Sequence, residues 1–354
     1  MPVEPPDDPT REGARILTIC NACRYCEGYC AVFPALERRA NFAASGLNYL
    51  ANLCHNCAEC YYACQYAPPH EFAVNVPKTL AQIRARSYRE YAWPRALGSA
   101  FVRPGFAAGL FLAASAAFWI PFCTPGGDFY SVVSHRTMVA VFGAVSVFVL
   151  GALLAGFAAF WRESGQAGAN LSAVANAMKD ALKLTYLHGA GQGCTYPREH
   201  RSLARWWFHH LTFYGFLLCF AATSVAAVYH YAFGWRAPYG YFSLPVVLGT
   251  LGGVGLLVGP SGLFWLKHRG DAATRDPTQD GLDLAFIALL FSTSATGLLL
   301  LGLRATSAMP GLLAIHLAIV SALFLTLPYG KFVHGIYRFA ALVRYALDRP
   351  RAKE

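Results

Sequence analysis

Charged residues are scarce in this chain. Only 14% of its 354 residues are Asp, Glu, Lys or Arg, whereas an ordinary soluble domain contains about 25%. Hydrophobic residues make up 56%, which excludes a disordered protein because so much apolar surface does not stay solvated. The net charge of +10 is weak support for nucleic-acid binding, since Lys and Arg are also distributed unevenly around membrane spans. We expect no nucleic-acid partner.

Three sequence signals are missing. The opening residues MPVEPPDDPT lack the basic and apolar regions of a signal peptide, so we expect the N-terminus to stay in the cytoplasm, where thiols remain reduced. No glycine-rich dinucleotide fingerprint follows a strand, which predicts that any flavin belongs to another protein. No general base and nucleophile stand together. The chain is therefore expected to be a component of an oxidoreductase and not a hydrolase.

Long apolar runs fill the chain after residue 100. A run of 18 or more such residues is typical of a membrane-spanning helix. The change in composition divides the chain into a cysteine-rich domain at 1–95 and a membrane domain at 96–354. The loop at 162–205 is predicted to carry a surface helix at 171–187. The six predicted spans are about 104–122, 137–161, 206–233, 243–266, 281–303 and 309–336.

Basic residues predict the orientation. An even number of spans puts both termini on one side of the membrane. Only Arg136, Arg236 and Arg304 fall in the loops of the opposite side, and the rest of the 29 Lys and Arg residues do not. The positive-inside rule therefore places both termini in the cytoplasm. We expect a multi-pass protein of the bacterial inner membrane.

Two cysteine runs of identical spacing occupy the first domain. Cys20, Cys23, Cys26 and Cys30 form C-x2-C-x2-C-x3-C, and Cys54, Cys57, Cys60 and Cys64 repeat it 34 residues later. Such runs hold cubane iron–sulfur clusters. Structural zinc more often uses two distant C-x2-C pairs, so zinc is the less favoured alternative. Two [4Fe–4S] clusters are predicted.

The fourth cysteine of such a run binds the other cluster when two clusters are present. Cys20, Cys23, Cys26 and Cys64 are therefore assigned to the first cluster, and Cys54, Cys57, Cys60 and Cys30 to the second. The usual proline after the fourth cysteine is replaced by Ala31 and Gln65. Because the segment between the runs looks helical, we expect an α-helical ferredoxin-like domain. The predicted fold is mainly α, this domain being followed by a six-helix transmembrane bundle.

Four histidines in the predicted spans are candidate haem ligands. His209 and His230 bracket the third span. His316 and His334 lie 18 residues apart in the sixth span, which is five whole turns and predicts that both face one way. Opposed helix directions predict the pairs His209–His334 on the cytoplasmic side and His230–His316 on the outer side. Two imidazoles per iron are what a b-type haem of this kind needs. The alternative is that these four histidines are hydrogen-bonded or lie at the membrane interface. Whether the protein binds one haem or two stays open.

The remaining histidines and cysteines receive simpler interpretations. His210 faces away from His230, so His209 is the preferred ligand, although the choice stays open. His135 and His268 are expected in solvent, and His55 and His70 are expected to tune a cluster without binding iron. Lys331 and Arg338 flank His334 and could neutralise haem propionates. Ordinary structural roles are expected for Cys123, Cys194 and Cys219.

Several segments resemble the tricarballylate/citrate utilisation protein B family. They are CNACRYCEGYC, YLANLCHNCAECYYACQYAPPHEFAVNVPK, HHLTFYGFLLCFAATSVAAVYH, GWRAPY and LPYGKFVHGIYR. The resemblance covers the chain from about Ile16 to Arg344. More distantly, the membrane half is similar to the haem b subunits of respiratory nitrate reductase and heterodisulfide-reductase-like complexes.

The resemblance implies an electron-transfer role. A separate FAD-dependent dehydrogenase, tricarballylate dehydrogenase-like, would dock on the cytoplasmic side, and this protein would reoxidise its flavin and pass electrons to membrane quinone. A related fused protein acts in cobalamin biosynthesis, so the partner's substrate stays open. The competing interpretations are a transporter or receptor with a redox-sensing iron–sulfur domain, and a zinc-bound membrane anchor.

Overall fold

A computed structural model describes residues 8–122, 128–165, 168–187, 194–195 and 199–348. The regular elements of the described residues are all helices, and these residues contain no strand, only an isolated bridge between Cys194 and Ser202. The cysteine domain contains α1 (Pro9–Cys23), α2 (Val32–Glu37), α3 (Ala44–Leu53), α4 (Glu59–Tyr62), α5 (Val76–Tyr91) and α6 (Arg95–Ala100). The expectation of a mainly α fold with a helical cysteine domain is confirmed.

Capping residues set the limits of the longer helices in this domain. The Asp8 side chain accepts a hydrogen bond from the Thr10 N–H at 3.0 Å and Pro9 begins α1, while Arg24 ends the helix with a left-handed φ of 55°. Asn75 caps α5 in the same way, accepting from Lys78 N–H at 3.2 Å. Apolar side chains from α1, α3 and α5 bury each other, so the cysteine loops between these helices are held by a packed core.

The remaining helices form the membrane domain and its attachments. They are α7 (Pro104–Trp119), α8 (Phe129–Val132), α9 (His135–Glu163), α10 (Leu171–Lys183), α11 (Ala204–Phe233), α12 (Leu244–His268), α13 (Asp280–Leu303), α14 (Met309–Thr326) and α15 (Val333–Asp348). Six helical segments in the described chain are long and apolar enough to cross a membrane: Pro104–Phe122, His135–Glu163, Ala204–Phe233, Leu244–His268, Pro277–Leu303 and Met309–Thr326. The protein is therefore a membrane protein.

The sixth span differs from its prediction. The run 309–336 is not one helix, because α14 ends at Thr326 and α15 begins at Val333. Pro328 has no N–H to continue the helix, and Gly330 N–H folds back to the Thr326 carbonyl at 2.7 Å. The five-turn argument that placed His316 and His334 on one helix face is therefore wrong. His334 lies on α15, a helix that packs against α3 and α10.

Helix α10 links the two helices that carry the candidate ligands. It packs against α15, and its C-terminal carbonyls accept hydrogen bonds from two aromatic side chains of α11. Trp206 Nε1 donates to the Lys183 carbonyl at 3.2 Å, and Tyr214 Oη donates to the Leu182 carbonyl at 2.9 Å. The surface helix predicted at 171–187 is thus present, and it ties α11 to α15.

Ionic and polar contacts fasten the cysteine domain to one end of the bundle. Asp283 accepts from Lys267 and Lys331 at 2.7 Å each. Next to this pair, Gln279 Nε2 donates to the Ala81 carbonyl of α5 at 2.7 Å, and Tyr62 Oη donates to Asp271 at 2.9 Å. Because Lys331 is held by Asp283, its charge is already compensated and it is a poor candidate for neutralising propionates.

Glycines allow α11 and α12 to lie almost backbone to backbone. A methyl group on Gly252 would lie 2.8 Å from the Cys219 nitrogen, and one on Gly259 would lie 2.6 Å from the Thr212 nitrogen. Real side chains do not fit such gaps, so these glycines fix the separation of the two helices. The position of His209, one turn before Thr212, depends on this contact.

Substitution of Gly259 should weaken the bundle. Gly259→Leu forces α11 away from α12, and overpacking of this kind costs about 1–3 kcal/mol. We expect a clearly lower midpoint of thermal denaturation in detergent, measured by tryptophan fluorescence. Gly143→Leu on α9 is the control, because nothing lies within 4 Å of its added carbon. Equal midpoints for the two variants would contradict the proposed close contact.

Candidate metal and cofactor centre

The eight cysteines of the two runs line two neighbouring cavities. The first, enclosing about 420 Å³ that is partly open to solvent, is lined by Cys20, Cys23, Cys26 and Cys64 together with apolar and aromatic side chains. Cys20 and Cys23 lie in the last turn of α1, and Cys64 follows α4. Cysteines of both runs therefore border this cavity, and the cross-ligation stays a prediction, because Cys60 lines the cavity as well as Cys64.

The second cavity, of about 390 Å³, is lined by Cys30, Cys54, Cys57 and Cys60. Cys60 also borders the first cavity, as do the shared wall residues Phe33 and Val76. Backbone N–H groups point at its sulfurs: Asn56 N–H donates to Cys54 Sγ at 3.4 Å, and the start of α2 points N–H groups at Cys30. The two cavities are thus adjacent, and backbone N–H groups donate hydrogen bonds to sulfurs of the second.

Burial makes these thiols poor acids unless a metal is present. Burial, with a smaller contribution from Cys64, raises the pKa of Cys20 and of Cys26 to about 12. Burial likewise raises the pKa of Cys57 to about 12 and that of Cys30 and Cys60 well above the usual range. Four buried thiolates can be stable together only around cationic metal, and metal binding displaces their protons.

The spacing of the thiols suits a group larger than one ion. Within the described residues, no three His, Cys, Asp or Glu side chains converge on a single metal position. One zinc ion would need its four sulfurs about 2.3 Å from one point. The cysteines surround a space instead, which fits a cubane cluster in each cavity.

His209 and His334 face each other beside the second cavity. Their ring centroids are 6.1 Å apart and their planes are inclined by 80°. With metal–nitrogen bonds of about 2 Å on both sides, as in other imidazole–metal sites, two rings that share one iron have centroids roughly 6 Å apart. The residues therefore fit a bis-histidine haem iron.

The surroundings of both rings agree with a ligand role. The Nδ1 atom of His334 is hydrogen-bonded to the Lys331 carbonyl, the outer contact that commonly orients a metal-binding imidazole and leaves Nε2 free. Burial, and then the Arg338 charge, lower the pKa of His334 well below its usual range, so the ring is neutral. The buried Nδ1 atom of His209 has no hydrogen-bond partner in the described structure.

His210 points elsewhere. Its ring lies against Trp206 and Tyr214, with Nδ1 bonded to the Trp206 carbonyl at 3.0 Å. The preference for His209 over its neighbour agrees with this geometry. The break in the sixth span does not separate the pair, because α15 places His334 opposite His209 although it is a separate helix from α14.

The outer histidines are arranged differently from the prediction. His230 stacks on His135, with centroids 3.8 Å apart and planes inclined by 17°, which leaves no room for iron between them. His316 is bonded through Nδ1 to Thr296 Oγ1 at 2.9 Å. No ring contact joins His230 to His316 in the described part of the chain, so these residues do not form a haem site as they stand. His135 is the first residue of α9 and is not a free loop histidine.

Three arginines surround the loop of the second cavity, and the sequence had singled out only Arg338 among them, for the different role of neutralising haem propionates. Arg84 and Arg338 donate to the Cys54 carbonyl at 2.7 Å each, and Arg205 donates to the Asn56 carbonyl at 2.7 Å. Arg205 lies four residues before His209, and Arg338 lies four residues after His334. This Arg-x3-His and His-x3-Arg spacing was the available signal.

Other predicted residues lie near the same place. His55 lines the second cavity, and burial followed by the charges of Arg338, Arg205 and Arg84 lowers its pKa well below the usual range. Cys194 is fully buried close to Cys57, and Thr195 Oγ1 donates to the Cys57 carbonyl at 3.4 Å. His70 packs against Tyr66 at the first cavity, and Cys219 lies between α11 and α12. Cys123 lies outside the described residues.

Comparisons with known proteins agree with the two-part structure. Residues 13–90 match the model of the citrate utilization protein B Fer4-like domain, and residues 95–354 match the model of citrate utilization protein B. Citrate utilization protein B of Escherichia coli is 49% identical over 358 residues, an alignment that covers 98% of this chain and 94% of that protein. No solved structure matches the chain. Together, the two model matches and the extent of this similarity show that the chain belongs to the citrate utilization protein B family.

Proposed function

We propose that this protein is a membrane electron-transfer subunit that accepts electrons from a reduced flavoprotein and delivers them to membrane quinone. The observation that carries the proposal is the position of the His209–His334 pair directly beside the second cysteine cavity. Arg205 lies one helical turn from His209 and donates to the Asn56 carbonyl. Arg338 lies one turn from His334 and donates to the Cys54 carbonyl. Redox groups in these places would lie in one continuous series.

Each set of side chains has a defined task in this proposal. Cys20, Cys23, Cys26 and Cys64 hold a [4Fe–4S] cluster in the first cavity, and Cys30, Cys54, Cys57 and Cys60 hold another in the second. His209 and His334 hold a haem b between α11 and α15. When bound, these groups supply one-electron redox chemistry, which a two-electron flavin donor needs. Since His230 and His316 do not meet, the proposal contains one haem.

The flavoprotein is proposed to dock at the first cavity. This cavity shares no lining residue with the Cys54–Asn56 loop that Arg205 and Arg338 contact, and Tyr25 at its edge is 65% exposed. The apolar lining, including Phe33 and Val76, excludes water from the sulfurs while leaving the rim accessible. Citrate utilization, named for the relative, makes a tricarboxylate dehydrogenase of the tricarballylate type the proposed donor. In this proposal, the cysteine domain lies on the cytoplasmic side of the bacterial inner membrane.

The two cavities should respond separately to cysteine replacement. Cys64→Ser removes a sulfur from the first cavity and Cys30→Ser removes one from the second, so each should lose or convert one cluster while the other persists. Iron and sulfide should fall by about half in each purified variant, and the two variants should lack different signals in electron paramagnetic resonance spectra of the reduced protein.

Cys219→Ser is the control for that experiment, because Cys219 lies between α11 and α12 and borders neither cavity. Stoichiometric zinc in place of iron would contradict the cluster assignment. Loss of the same signal in Cys64→Ser and Cys30→Ser would contradict the cross-ligation.

The histidine pair should be the haem site. His209→Ala or His334→Ala leaves at most one imidazole for the iron, so the low-spin optical spectrum should be lost. His210→Ala should keep it, because that ring faces Trp206 and Tyr214. A pyridine haemochrome assay should give one haem per chain, and His316→Ala should not reduce it. Two haems per chain, or loss of the spectrum in His210→Ala alone, would refute this arrangement.

Quinone reduction tests the whole assignment. Membrane vesicles containing this protein should oxidise a tricarballylate-reduced FAD dehydrogenase and reduce a short-chain ubiquinone or menaquinone analogue, followed at the flavin and quinone absorption bands. Vesicles with His209→Ala should show a large loss of rate, whereas His210→Ala should stay close to the unaltered protein. If the flavoprotein reduces quinone equally fast in vesicles without this chain, the proposed role is wrong.

A further inference from the structure

The two cysteine cavities differ sharply in the charge around them. Three guanidinium groups meet at the backbone of the second cavity. Arg84 Nη1 bonds the carbonyls of Ala51 and Cys54 at 3.1 and 2.7 Å, Arg338 Nη2 bonds the Cys54 carbonyl, and Arg205 Nη1 bonds the Asn56 carbonyl. Neither cavity has Lys or Arg among the residues that line it, so the difference lies in the arginines behind the lining. At the first set of cysteines, Arg24 lies between Cys23 and Cys26, but its exposed side chain donates to the Asn21 carbonyl at 3.3 Å.

Two of these guanidinium groups, those of Arg84 and Arg338, have no carboxylate partner among the described residues. Arg84 is only 4% exposed. The Nε atom of Arg338 is buried without a hydrogen-bond partner. Burial, and then the nearby Arg84, lower the pKa of Arg338 to about 10, as expected for like charges held together. Buried cations of this kind need an anion.

Acidic charge near the cavities does not remove the difference. Glu59 lines the second cavity, but Arg201 pairs with it at 3.0 Å. The same carboxylate acts on Cys26 of the first cavity, where it contributes to the raised pKa of that thiol. The second set of cysteines is therefore the more strongly cationic, because the Arg24 guanidinium beside the first set is exposed and screened by solvent.

We propose that Arg84, Arg205 and Arg338 stabilise the negative charge of the cluster in the second cavity. That cluster therefore has a higher reduction potential than the cluster in the first cavity. This rests on the proposed function. A cluster with four thiolates is an anion, and adding one electron increases that charge, so nearby cations favour the reduced form. One electron from the reduced flavin then enters the first cluster and leaves it for the second, the acceptor nearer to His209 and His334.

A redox titration of the purified full-length protein tests this order. The clusters are followed by electron paramagnetic resonance and assigned with Cys64→Ser, which alters the first. The second cluster should be reduced first, with a reduction equilibrium at least tenfold more favourable, which is about 59 mV for one electron. Arg338→Gln should remove at least tenfold of that preference and leave the first cluster unchanged.

Two further variants separate charge from local structure. Arg338→Lys keeps the cation while changing the carbonyl contact, so most of the preference should return. Arg86→Gln is the matched control on α5, because Arg86 is exposed and already paired with Glu90 and Asp8; it should shift neither cluster.

Three outcomes would overturn the inference: equal or reversed potentials in the unaltered protein, an unchanged second cluster in Arg338→Gln, or a shift in Arg338→Lys as large as that in Arg338→Gln. The first outcome needs no arginine variant, so it decides the matter even if Arg338→Gln fails to fold. A protein without clusters would instead refute the proposed function.

Discussion

The carbonyl groups of Cys54 and Asn56 are the point on which the rest of the structure depends. Side chains from α5, α11 and α15 reach them from three directions, so a helix of the cysteine domain, a membrane helix and the C-terminal helix meet at one short loop. A hydrogen bond from a charged donor is stronger than one between neutral groups. The loop that carries half of the second cysteine set is therefore positioned by the membrane domain as much as by its own.

This junction explains why the two halves of the chain form one functional unit. The histidine rings lie one helical turn beyond the arginines, so the distance between them is set by the same two helices that hold the cysteine loop. Contacts of Gln279 and Tyr62 reinforce the attachment farther out. Close packing of α11 on α12 then fixes the membrane end of the arrangement.

Local patterns in the sequence predicted a large part of this site. The 34-residue duplication was sufficient to identify the eight cysteines that line the two cavities, whereas the exchange of Cys64 and Cys30 between the two clusters stays a prediction. Helical phase was sufficient to prefer His209 over His210. Phase failed for His316 and His334, because an apolar run does not reveal that Pro328 and Gly330 interrupt it. The stacking of His230 on His135 was also not predictable, since it depends on how α11 and α9 approach each other in space. Arg84 and Arg205 were not predicted as part of the site, because basic residues at membrane boundaries were attributed to topology. Arg338 was predicted only to neutralise haem propionates.

Helix α10 would influence the speed of the proposed electron transfer. It is bonded to α11 through Trp206 and Tyr214 and packs along α15, so it braces the two helices that present His209 and His334. Side chains on braced helices keep their geometry when the charge between them changes. For the proposed haem, the iron could gain or lose an electron with little movement of its ligands, and a small nuclear rearrangement keeps the activation barrier of each transfer low. A surface helix that binds no redox group would in this way contribute directly to the rate.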